Sequence, residues 1–398
     1  MIFRLLYDLA ISAYQLGIRL SPSEKARQWR AGRHGLLAEL DKHDLKGCVW
    51  FHCASVGEFE QARPVIEGLK KELPNKFLLT FFSPSGYEMH RNYPEVDLVS
   101  YLPLDRKKDM RRFVERVQPS AFVLVKYEVW YHLLSELTRR NTPRFLIAAR
   151  FRANQVYFRS LSRPLLNLLK SFTAVLVQDQ TSMDILQSKG FMNASMAGDP
   201  RYDRVIQLAR EDYGADYIER EGRPILVAGS TWPKDEEMLL KWYEGVRSEW
   251  RLLIAPHEWD DKRLNSLKGF AELSVYSEGG KLDSETDVLV LDTKGVLSKV
   301  YRYGRLSYVG GGFEGEVHNI LEPLVYGRPV MFGPDYHKSN ESKEALSRGF
   351  ALSADNAADL GRAVEKLTVS DHGSAIKSYF DENAHSAQRI QEVILDSL

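Results

Sequence analysis

From residue 48 to residue 354 the chain alternates short, continuous apolar runs with longer amphipathic stretches, and this alternation restricts the fold more than any other feature. The first group of runs is CVWFHCA (48–54), FLLTFF (77–82), VDLVSYLP (96–103), AFVLVKY (121–127), RFLIAA (144–149) and AVLVQD (174–179). The second is PILVAGS (224–230), RLLIAPH (251–257), DVLVLDT (287–293), LSYVGGG (306–312), PVMFGP (329–334) and FALSA (350–354). Runs without polar alternation read as strands covered on both faces. Between them lie helical patterns such as QARPVIEGLKKEL and KKDMRRFVERV. Buried strands separated by helices predict α/β architecture with doubly wound parallel sheets.

A chain of 398 residues exceeds one ordinary core, so two domains are expected. The stretch from about 200 to 222 is charged and carries Gly214 and Gly222, with Pro224 just beyond, which places the boundary there. The predicted division is 1–46 as a membrane-associating helix and basic segment, 47–205 as the first Rossmann-like domain and 206–222 as a linker. A second Rossmann-like domain follows over 223–380, and 381–398 forms a C-terminal helix. Two such domains are expected to face one another across a ligand-binding cleft. Lys+Arg and Asp+Glu both number 54, so no global charge points to nucleic acid. Cys48 and Cys53 provide neither a zinc set nor a disulfide framework. No Asp-x-Asp occurs, so a metal is not implied, and no cofactor is expected.

In MIFRLLYDLAISAYQLGIRL the polar residues Arg4, Asp8, Ser12, Gln15 and Arg19 fall on one helical stripe. Leu5, Leu6, Leu9, Ala13, Leu16 and Leu20 form a wide apolar face, with Tyr7 and Tyr14 near its edges. No cleavable signal peptide is evident, and Arg4 and Asp8 argue against a spanning helix. The following SPSEKARQWRAGRHG carries Lys25, Arg27, Arg30 and Arg33 against Glu24 alone. An apolar helix followed by a basic, Trp-containing segment favours a helix lying on an anionic membrane surface. The competing reading packs that helix on the protein's own core or on a partner chain.

Candidate site residues gather where strands end, the ligand-binding edge of a parallel sheet. In FHCASVGEFEQ, Ser55 and Glu58 stand where strand turns into helix. Glu58 is either an acidic residue favoured by the helix dipole or a functional carboxylate. Ser83, Glu128 and Arg150 follow other strands of the first half. In the second half, Gly229-Ser230-Thr231 is expected to end a strand and cap a helix, and His257 ends the next strand. YVGGGFEGEVHNILEP runs a strand into Gly310-Gly311-Gly312, then opens a helix at His318-Asn319 with Glu322 in its first turns. A glycine-rich loop feeding a helix N-terminus suits phosphate, and Glu322 is placed to meet ribose hydroxyls. The basic run Arg106, Lys107, Lys108, Arg111, Arg112 reads as a solvated helix face.

HCASVGEFEQARPVI, YLPLD, YEVW, AARF, VLVQDQTSMDILQSKG, AGSTWPKDEE, DVLVLDTKGVLSKVY and VGGGFEGEVHNILEP together resemble the Kdo (3-deoxy-D-manno-octulosonic acid) transferase family of lipopolysaccharide synthesis. The resemblance implies a GT-B fold and metal-free inverting transfer of Kdo from CMP-Kdo to a lipid A precursor at the cytoplasmic face of the inner membrane, with the protein held there as a peripheral or monotopic enzyme. It implies Glu58 as general base, taking the proton of the attacking acceptor hydroxyl. Gly229, Ser230, His257, Gly311, Gly312, His318, Asn319 and Glu322 would hold CMP, with Ser55, Ser83, Glu128 and Arg150 on the acceptor side. Two departures stand out. Glu316-Val317 precede His318-Asn319 where the family commonly has Gly-Gly, and Pro256-His257-Glu258-Trp259 stands where it commonly has Pro-Arg-His-Pro. The alternatives are another GT-B enzyme, a UDP-sugar transferase or epimerase, and a non-catalytic membrane-bound nucleotide sensor.

Overall fold

The computed structural model describes residues 2–126, 128–219, 221–268, 273–283 and 286–398. The chain divides into two compact units, residues 1–204 with 383–398, and residues 205–382. The second is therefore inserted into the first. The segment read as a linker, 206–222, begins inside the helix Arg201–Arg210 and belongs to the second unit. The final helix, Ser386–Leu395, returns to the first unit.

In the first unit the strands are β1 (Val49–Cys53), β2 (Phe77–Phe81), β3 (Leu98–Tyr101), β4 (Ala121–Val125), β5 (Arg144–Ala149), β6 (Ala174–Val177) and β7 (Ala194–Met196). They pair in parallel in the order β3-β2-β1-β4-β5-β6-β7. The second unit contains β8 (Ile225–Thr231), β9 (Arg251–Pro256), β10 (Ser274–Val275), β11 (Val288–Val290), β12 (Leu306–Val309), β13 (Val330–Phe332) and β14 (Ala351–Ser353). Their order is β10-β11-β9-β8-β12-β13-β14, again parallel. Every apolar run becomes a strand; Tyr127, at the end of AFVLVKY, lies outside the described residues. β7 and β10 were not anticipated, because an Ala-Ser-Met edge and a two-residue strand carry no continuous apolar signal.

The central strands β1, β2 and β4 are buried along their whole length. Trp50 packs between Phe113 and Phe122, at 5.1 and 4.8 Å between ring centres, and its indole N–H donates to Thr80 Oγ1 at 2.8 Å. A fully buried side chain of this size contributes a few kcal/mol to holding helix and sheet together. On the other face of this sheet, the helices Val56–Glu72 and Ser386–Leu395 lie against each other. Gln391 Nε2 donates to the carbonyl of Pro64 at 2.9 Å.

The first helix, Ile2–Leu20, meets its own unit with an unusual face. Two residues of its polar stripe turn inward, Asp8 contacting His132 Nε2 at 2.6 Å and Gln15 accepting from Arg106 at 3.2 Å, while Arg4, Ser12 and Arg19 of the same stripe are exposed. Tyr7 donates to the buried Asp105 at 2.6 Å, while Phe3 and Tyr14 pack on Tyr131 and Phe82. Leu5, Leu9, Leu16 and Leu20 are left 62, 58, 56 and 72% exposed. Among the described residues, no helix is long and apolar enough to cross a membrane. The basic run 106–112 forms a solvated, ion-paired face on the helix Lys107–Val117, as expected, with Arg106 on Asp109 and Arg111 on Glu115.

Candidate active site

In a doubly wound sheet, successive crossovers leave β1 in opposite directions, and the crevice opens at the carboxyl ends of the strands where they part. In the first unit this switch point lies between β1 and β4. Glu58 and Glu128 follow these two strands.

Ser55 is the N-cap of the helix Val56–Glu72 and leaves its own side chain out of the cap. Glu58, three residues on, folds back so that Oε2 accepts the backbone N–H of Ala54 at 2.5 Å. The carboxylate thus orders the strand-to-helix turn by holding the residue before the N-cap. Glu58 is also 6% exposed, and burial raises its pKa, against the pull of that N–H and of Lys126. Glu128 is pushed up to about 7, first by burial and then by the charge of Glu58, with Trp130 pulling the other way. Glu128 Oε2 and Trp130 Nε1 are both buried; the indole lies near enough to lower the Glu128 pKa, yet neither atom completes a well-formed hydrogen bond among the described residues. A buried polar atom left open in a native fold calls for an explanation, and a ligand hydroxyl between them is one. Lys126, between β4 and Glu128, holds φ 63°, a left-handed conformation in which a side-chain residue stores strain. Trp130 packs on Phe82 at 4.8 Å, and Phe82 on Tyr14 of the first helix at 6.1 Å, so an aromatic wall runs from Glu128 to that helix.

The other acceptor-side residues have structural partners. Ser83 caps the helix Pro84–His90 by accepting from Gly86 N–H, and Arg150 pairs with Asp179 at 3.3 Å.

In the second unit the switch point lies between β8 and β12. Gly229 and Ser230 end β8, and Gly310–Gly312 follow β12. Ser230 has φ 53° at an irregularity in the β8–β9 register, again strain at a strand end. The glycines are required by backbone crossing. Gly311 has φ +94°, and Gly312 abuts Gly333 so closely that a Cβ would stand 2.6 Å from its backbone. Asp235 ties the two strand ends together, accepting from Trp232 N–H, Gly311 N–H and Tyr308 Oη.

Two sequence expectations are corrected here. Thr231 belongs to β8 and bonds Glu236 Oε1; the helix Pro233–Glu244 starts after Trp232 instead. The helix opened by His318-Asn319 is a single turn, Leu321–Leu324, ended by the left-handed Gly327 ahead of Pro329. The long helix dipole invoked for phosphate is therefore absent. Asn319 Oδ1 accepts from Leu321 N–H while its Nδ2 donates to Glu322.

Trp232, not singled out from sequence, completes the site. Its indole N–H donates to His318 Nε2 at 3.1 Å, and its ring stacks on His257, which stacks on His318 at 4.4 Å. Burial and the neighbouring His257 lower His318 to about 4, so its ring is neutral near pH 7. With Nε2 accepting, the proton sits on Nδ1. Trp232 could have been found only from the chemistry of GSTWP, where an indole follows a capping-type triplet. Arg263, which follows the PHEW departure, is held by Glu236 at 2.8 Å. No cluster of three or more metal-ligating side chains occurs among the described residues.

Two Rossmann-like units, each with polar residues at its own switch point, define the GT-B fold class. Solved structures share it: a UDP-GlcNAc 2-epimerase of Neisseria meningitidis has a TM-score of 0.59 at 13% identity, covering 87% of this chain and 99% of that one. A glycotransferase of kitacinnamycin gives 0.57 at 15% identity, covering 89% and 99%. The 3-deoxy-D-manno-octulosonic-acid transferase family matches residues 27–204. The chain is 29% identical to the 3-deoxy-D-manno-octulosonic acid transferase of Aquifex aeolicus over 82% of its length and 86% of that protein. It is 26% identical to the Haemophilus influenzae transferase of the same name over 95% and 93%. The first unit thus matches the Kdo transferase family model, and the chain is similar to Kdo transferases over most of its length.

Proposed function

We propose that the chain transfers Kdo from CMP-Kdo to a lipid A precursor at the cytoplasmic face of the inner membrane. In this reading Glu58 is the general base. It takes the proton of an acceptor sugar hydroxyl as that oxygen bonds to the anomeric carbon, while the bond from that carbon to the CMP phosphate breaks and CMP leaves with the electron pair. The observation that carries it is the buried Glu58–Glu128 pair at the first switch point, with Glu128 Oε2 and Trp130 Nε1 open beside it. A carboxylate whose pKa is raised by burial is a stronger base than a solvated one. Glu128 and Trp130 orient the acceptor hydroxyl; Ser55, Ser83 and Arg150 stand on the acceptor side. CMP is assigned to the second switch point, where Gly229, Ser230, Gly311 and Gly312 allow close backbone approach and His257, His318, Asn319 and Glu322 supply polar groups. The outward leucines of Ile2–Leu20 support a lipid-facing helix, and the aromatic wall from Tyr14 to Trp130 supports an acceptor approaching from that side.

The test is an assay with CMP-Kdo generated in situ, a tetraacylated lipid A precursor and EDTA. A product heavier by one or more Kdo units is expected. Glu58→Gln should lower turnover by about 10³-fold while CMP still binds; turnover near that of the unaltered enzyme would remove Glu58 from the role.

A further inference from the structure

At the amino-terminal edge of the second sheet, Arg305 immediately precedes β12, and Arg328 lies two residues before β13. Four strand residues, roughly 13 Å, separate this edge from Gly310. The two arginines line a polar cavity of about 490 Å³ with Thr368, Ser370, Asp371 and His372.

The charges there do not balance. Arg328 donates one N–H to the carbonyl of Arg302 at 3.0 Å, but its Nε is buried without a partner. Arg305 donates to the carbonyl of Thr368 at 3.2 Å. Both of these partners are backbone carbonyls, not carboxylates. Burial and the neighbouring Arg305 charge hold Arg328 below the usual arginine range. His372 Nε2 is likewise buried and unpartnered. Asp371, the carboxylate of the lining, already accepts the N–H of Gly373, first residue of the helix Gly373–Asn383. Like charges brought together around unused N–H donors cost free energy that an anion restores.

We propose that this cavity binds a phosphate group, free or as a monoester, between Arg305 and Arg328 with His372 Nε2 as a further donor. Donors converging from three chain segments suit a tetrahedral oxyanion, and guanidinium groups match phosphate oxygens in pairs. The site is distinct from the nucleotide site at the opposite edge of the same sheet. The phosphate can belong to a soluble metabolite or to a lipid headgroup.

The full chain, saturated with CMP, is titrated with inorganic phosphate and with glycerol phosphate by calorimetry, and floated with phosphatidic acid vesicles against phosphatidylcholine. Arg305 is exposed, so Arg305→Gln leaves the fold intact; Arg328→Gln is the second variant. Saturable phosphate binding weakened about tenfold or more in both variants is expected and assigns a soluble ligand. Loss of phosphatidic acid flotation alone in both variants assigns a headgroup. The proposal falls if Arg305→Gln leaves both phosphate affinity and flotation unchanged.

Discussion

At the residue scale, Glu58 orders a turn and, on the proposed reading, is also the base. Its capping bond to Ala54 N–H is what a first-turn acid is expected to make, and the same bond fixes it beside Glu128. The helix-start reading of Glu58 is met, and the proposed role as base is compatible with it. Glu128 carries a stability cost that can be measured. Its carboxyl ionises near 4.5 when unfolded and near 7 when folded. Between those values the unfolded chain has released a proton that the native state retains, so stability falls as pH rises through that window. A shift of this size corresponds to about 3 kcal/mol at pH 8. Glu128→Gln should raise Tm by several degrees at pH 8 and leave it nearly unchanged at pH 4, while slowing transfer. Thermal unfolding at the two pH values checks this. Trp232→Phe keeps the ring stack and removes the N–H that selects the His318 tautomer. On the proposed donor role, KM for the nucleotide sugar should rise up to about tenfold with kcat largely kept. The His318 ¹⁵N shifts should report loss of the single tautomer.

At the element scale, the amphipathic stripe of residues 2–20 was legible, but the face that meets the protein was not. Periodicity shows that a helix has two faces and leaves open which one docks. That choice was made by Asp105, Arg106 and His132, about a hundred residues away, which take Tyr7, Gln15 and Asp8. Replacing Leu5, Leu9 and Leu16 together by Asp should weaken liposome binding roughly a thousandfold. Because these side chains are already exposed, Tm and activity on detergent-dispersed acceptor should hold. Unchanged liposome binding would exclude the helix as the membrane contact. The single-turn Leu321–Leu324 carries the opposite lesson: the glycine-loop pattern predicted a helix from His318-Asn319, and the left-handed Gly327 ahead of Pro329 stops it after one turn.

At the scale of the whole molecule, the strands were readable because interior parallel strands must be apolar on both faces, and β7 and β10 escaped because sheet edges need not be. The switch points were not readable, since strand order depends on which crossovers reverse. They turn scattered strand-end residues into two sites, Glu58 with Glu128 and Gly229 with Gly311. The insertion of one unit into the other also sets a schedule for synthesis. The helix bearing Glu58 is covered by a helix whose contact residue, Gln391, lies 327 positions after Pro64. At a ribosomal pace of about 5–20 residues per second, that is some tens of seconds during which the apolar flank of Val56–Glu72 has no cover. A nascent chain of this kind should be a client for holding chaperones until the helix Ser386–Leu395 emerges.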